Sequence, residues 1–139
     1  LFGGSMENIE VVHLKTHDDT QSLTLQSCKL VNRTSLKCNL TMKSRGFSYS
    51  GNVRFDNVAK FAENIISMSK TLSGAVTLTE EYGIHFINFK INRLGHVIVS
   101  GTFAEHSANS QLLEFEFVTD QTCLEAFASD LELIVGKNS

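Results

Sequence analysis

The chain has 139 residues, enough for one domain that buries a core without metal or disulfide staples. With 42% hydrophobic and 19% charged residues and a net charge of −3, it is excluded from the disordered, collagenous and strongly basic classes. Ten Phe, two Tyr and no Trp place the aromatic content in core filling rather than in amphipathic anchors.

Leu1 to Ser5 precede Met6 and read as an expression-vector remnant, leaving residues 6–139 as a single domain. No signal-type segment follows Met6, and no apolar run approaches the roughly 20 residues that span a bilayer. No membrane association is therefore expected. Ile9 to Lys15 and Ser22 to Leu30 read as strands joined by the polar turn His17 to Thr20. Leu36, Cys38, Leu40 and Met42 alternate with Lys37, Asn39, Thr41 and Lys43, a half-buried strand. Arg45-Gly46 makes a turn, and Phe47 to Phe55 returns beside it. Asp56 is the expected N-cap of a helix carrying Val58, Phe61, Ala62, Ile65, Met68 and Leu72 at helical spacing. Gly74 is expected to end that helix in a left-handed conformation.

Next come strands at Ala75 to Thr79, Gly83 to Ile91 and His96 to Phe103, with a turn at Asn92 to Gly95 and a polar loop from Ala104 to Ser110. In Gln111 to Thr119, Leu113, Phe115 and Phe117 alternate with Glu114 and Glu116. A helix follows whose Leu124, Phe127, Ala128, Leu131 and Ile134 or Val135 form one apolar stripe. Thr122 and Glu125 have capping-box spacing, and Asp120 is the rival cap. The pattern predicts an α+β fold: a mainly antiparallel curved sheet of about eight strands with two helices packed on it.

Charge is unevenly spread. Lys29 to Lys60 holds seven basic residues and one acid, a net +6, whereas Gly101 to Ser139 holds seven acids and one base, a net −6. Either the two segments neutralise each other in the fold, or the acidic end is a docking surface for a basic partner.

No catalytic constellation stands out. Of the five histidines, His13 and His17 are four apart, a ligand spacing only on a helix, and they fall in strand and turn. No metal site or cofactor is expected. Cys28, Cys38 and Cys123 match no zinc spacing and read as reduced thiols of a cytoplasmic protein. Cys38 alternates with apolar residues and belongs to the core, while Cys123 lies in a first helical turn, where the dipole can assist a thiolate. A thiol enzyme using Cys123 is accordingly one reading to test. The basic segment contains Phe47 and Tyr49, the composition of a nucleic-acid platform. Overall acidity opposes that role, and no direct nucleic-acid binding is expected.

Three stretches resemble the WapI-type bacterial immunity proteins: GNVRFDNVAKFAENIISMSKTLSGAVTL, LGHVIVSGTF and LLEFEFVTDQTCLEAFASDLELI. The likeness covers residues 22–135, most strongly after Gly51, and lies in turns and caps. It implies a cytoplasmic, non-enzymatic protein that binds and neutralises a cognate toxin domain, with a nuclease as one candidate. The expected contacts are Glu114 and Glu116 on the strand, with Glu125, Ser129 and Glu132 along the outer face of the last helix. The alternative reading is a small-ligand-binding or adaptor domain.

Overall fold

A computed structural model describes residues 11–81, 83–106 and 110–137. The element order is β1 (Val12–Leu14), β2 (Gln21–Val31), β3 (Ser35–Ser44), β4 (Phe47–Phe55), α1 (Val58–Thr71), β5 (Gly74–Thr79), β6 (Phe86–Ile91), β7 (Val97–His106), β8 (Ser110–Thr119) and α2 (Gln121–Lys137). Every strand pairing is antiparallel, as short connections dictate. The fold is α+β with eight strands and two helices, as the sequence pattern predicts.

The strands divide into two four-stranded sheets, β1-β2-β3-β4 and β5-β6-β7-β8. The division falls where α1 leaves the sheet. A short backbone seam rejoins the halves: Phe55 bridges Glu80, the Asp56 N–H donates to the Thr79 carbonyl at 2.8 Å, and the Glu81 N–H donates to the Arg54 carbonyl at 2.7 Å.

Alternation is what puts the core where it is. On β3, Leu36, Cys38, Leu40 and Met42 are buried while Lys37 and Lys43 are exposed. On the second sheet, Val76, Phe89, Val99 and Phe117 lie in one register row on the inner face. Both helices cover that face. Phe61 of α1 and Phe127 of α2 meet Phe89 with ring centroids 5.4 and 5.6 Å away. The helix stripes are therefore buried as their spacing predicts: Val58, Phe61, Ala62, Ile65 and Met68 on α1, and Leu124, Phe127, Ala128, Leu131 and Ile134 on α2.

Several boundaries differ from expectation, each for a local reason. Asn57, not Asp56, caps α1, in a left-handed conformation at φ 52°, while the Asp56 carboxylate accepts the Asn57 N–H at 2.9 Å. Leu72 supplies the left-handed C-cap, at φ 59° with its N–H on the Met68 carbonyl, and Gly74 instead opens β5. Asp120 wins the start of α2, because its Oδ1 accepts the Cys123 N–H at 2.8 Å. The loop expected at Ala104 to Ser110 shrinks, since β7 runs to His106 and β8 begins at Ser110. β1 keeps only Val12–Leu14 of the expected Ile9 to Lys15, of which Ile9 and Glu10 lie outside the described residues, as do Leu1 to Ser5, expected to be a vector remnant.

Candidate functional site

The second sheet has one covered face and one bare face. With α1 and α2 on the inner side, the outer side carries the rows Thr77-Asn88-Ser100-Glu116 and Thr79-Phe86-Thr102-Glu114. Glu114 and Glu116 stand exposed on β8, the edge strand, next to exposed Leu112 and Val118. That is an acidic margin with apolar neighbours, on a face no helix covers.

Glu125, Ser129 and Glu132 are also exposed, and their spacing puts them on one face of α2. This is the face away from Phe127, hence away from the sheet's inner side. The strand pair and the helix trio consequently lie on opposite sides of the core layer. A single flat partner surface can engage one group or the other.

Among the described residues, the ion pairs are His17–Asp120, Arg45–Asp18, Arg54–Glu81 at 2.8 Å and His85–Glu80 at 3.1 Å. None joins the basic segment 29–60 to the acidic segment 101–139. Of the basic residues, Lys29, Lys37 and Arg54 occupy one register row on the outer face of the first sheet.

Two groupings escaped the sequence. His17, Asp120 and Cys123 converge, with ligand-type atoms all within 4.8 Å of one another. Asp120 organises them: Oδ1 holds the Cys123 N–H and Oδ2 meets His17 Nε2. The Cys123 N–H first, and His17 second, hold the Asp120 carboxyl below the usual carboxylate range. His17 is 82% exposed at its side chain, so this is an open surface cluster whose clear work is to start α2 and pin the β1–β2 turn. The separation of 103 residues left no signal in the sequence.

The second grouping lies where β4 meets β7 and β8. His85 is buried. Its Nε2 lies 2.7 Å from the Ala104 carbonyl, and its Nδ1 approaches Glu80 off the line of a good hydrogen bond. Tyr49 stacks on Phe103 at 4.5 Å, and burial, then Glu80 and Glu105, push its hydroxyl above the usual phenol range. A recess of about 270 Å³ opens beside Tyr49, Phe103 and Leu112. Two other recesses, of about 410 and 380 Å³, are likewise lined mostly by exposed or half-buried residues. Among the described residues, no helix is long and apolar enough to cross a membrane.

A model of the immunity protein WapI-like family matches residues 7–137. No curated protein and no solved structure gives a match.

Proposed function

Because this chain belongs to the WapI-like immunity protein family, we propose that it acts without catalysis, by binding a cognate bacterial toxin domain and covering its working surface. The family match across residues 7–137 carries this reading. The unpaired acidic surfaces support it. Glu114 and Glu116 form a carboxylate pair on an uncovered sheet face, with Leu112 and Val118 as apolar neighbours. An apolar centre beside a charged rim is the anatomy of a protein interface.

The partner is a basic protein. Nucleases carry positive charge for their substrate, and carboxylates presented in a row offer such an enzyme a competing anion. We assign first contact to Glu114 and Glu116, and place Glu125, Ser129 and Glu132 on a second, separate surface. The site of action is the cytoplasm of the producing cell.

The test pairs this protein with the toxin domain encoded beside its gene. Co-expression should rescue growth, and the purified proteins should form a stable complex in which toxin activity is lost. Growth arrest that persists despite complex formation would contradict the reading.

A further inference from the structure

We propose that Cys28 and Cys38 are a disulfide-forming pair, oxidised by a small peroxide that enters through the recess at the strand bulge. The inference starts from strand register. Gln26 pairs with Asn39, and pairing resumes at Lys29 with Lys37, so Ser27 and Cys28 together oppose the single residue Cys38. This is a β-bulge. Ser27 absorbs the extra residue in a left-handed conformation at φ 52°. The shift turns Cys28 to the core side, where Cys38 already lies between Leu36 and Leu40.

The two side chains meet there. Cys28 Sγ lies 3.4 Å from the Leu25 carbonyl oxygen, and the Cys28 thiol is near enough to perturb that of Cys38. Cross-strand neighbours have Cα atoms about 4.5–5.5 Å apart, inside the span of about 4.4–6.8 Å that a disulfide bridges.

Access comes through the 410 Å³ recess at the bulge, whose wall includes both cysteines together with Ser27, Lys29, Lys37 and Asn52. Cys28 is 9% exposed and Cys38 2%, and both residues border the recess. Lys29 and Lys37 face each other at its mouth. The neighbouring Cys28 thiol, together with burial, pushes the Cys38 thiol well above its ordinary range. Cys28, the more exposed of the two residues, meets the oxidant first.

In the first step the Cys28 thiolate attacks one peroxide oxygen and the O–O bond breaks. Cys28 becomes a sulfenic acid, and the departing hydroxide takes up the proton the thiol released, forming water. In the second step the Cys38 sulfur attacks Cys28 Sγ and the hydroxyl leaves with the Cys38 proton as a second water. Two thiols and one hydrogen peroxide give one disulfide and two waters, the thiols losing the two electrons that the peroxide gains. Cys123, in the first turn of α2, takes no part.

The experiment treats the folded chain with hydrogen peroxide, quenches, denatures, and then counts thiols and measures intact mass. Two of the three thiols should be lost, the mass should fall by two hydrogens, and digestion should yield a peptide linking Cys28 to Cys38. Cys123→Ser should form the same link and retain no thiol, while Cys38→Ser should form none. Retention of all three thiols, under conditions that oxidise an exposed cysteine peptide, would overturn the proposal. So would loss confined to Cys123, or added oxygen without a link. Mapping of the unaltered chain decides the matter even where Cys38→Ser fails to fold. The outcome does not depend on the toxin-binding reading.

Discussion

Asp120 illustrates how much one side chain can organise. Its Oδ1 caps α2 through the Cys123 N–H, and its Oδ2 holds His17 of the β1–β2 turn. Asp120→Ala should cost about 0.5–2 kcal/mol in denaturant unfolding, the range for a lost N-cap. Thr122→Ala, at the exposed second residue of the helix, should stay within about 0.5 kcal/mol. A pH dependence follows from the same residue. The folded-state pKa of Asp120 is depressed, so its contribution is present above the unfolded carboxylate value, near 3.9, and fades as pH falls through the folded value. Asp120→Asn should flatten the acid limb of the stability profile there and leave the neutral-to-alkaline limb unchanged. A matching acid limb in both proteins would refute this. The cap itself was readable as one of two candidates, because an Asp three residues before a helical amide is a local pattern. Its contact with His17 was not, since nothing in the intervening chain encodes it.

The strands and helices were legible because burial follows alternation and three-to-four spacing, as on β3 and α1. What the pattern could not reveal is where pairing stops. The split between sheets depends on how Arg54 to Asp56, at the end of β4, meet Thr79 to Glu81, at the end of β5, and the bulge depends on Ser27 accepting a conformation usually left to Gly or Asn. The bulge also explains why a Cys28–Cys38 encounter is invisible in spacing. One consequence is testable in β3. Lys37 stands directly opposite Lys29 and beside Arg54, and among the described residues only Arg54 of the three has a partner carboxylate, that of Glu81. Like charges directly opposite destabilise a sheet by about 0.2–1 kcal/mol. Lys37→Thr should therefore raise the unfolding midpoint at low salt, and the gain should shrink as salt screens the row. A lower midpoint at every salt concentration would show that the lysine stem packs more than its charge repels. Leu131, by contrast, is fully buried in α2, and Leu131→Ala should cost about 2–5 kcal/mol by denaturant titration. Lost function in that variant reports unfolding.

For the whole molecule, the segregation of charge in the sequence persists in three dimensions, because the described ion pairs leave the two segments unjoined. The basic row stands on the outer face of the first sheet and the acidic margin on the outer face of the second. The exposure of the five expected contact residues was predictable from alternation and helical phase. Their separation onto two sides of the core was not, because it follows from Phe127 packing on the inner face of β6. Two surfaces with independent orientations make a further prediction. Charge reversal on the strand and on the helix should have separable effects on toxin binding, with the β8 pair dominating if the uncovered sheet face is the interface.

The direct measurement is the association rate with the toxin domain, followed against ionic strength, for the unaltered chain and for Glu114→Lys with Glu116→Lys. Reversal should slow association by about tenfold or more at low salt, with the difference closing as salt rises, as electrostatic steering requires. An association rate that is unchanged by reversal across the salt series would remove the β8 carboxylates from the interface and contradict the account.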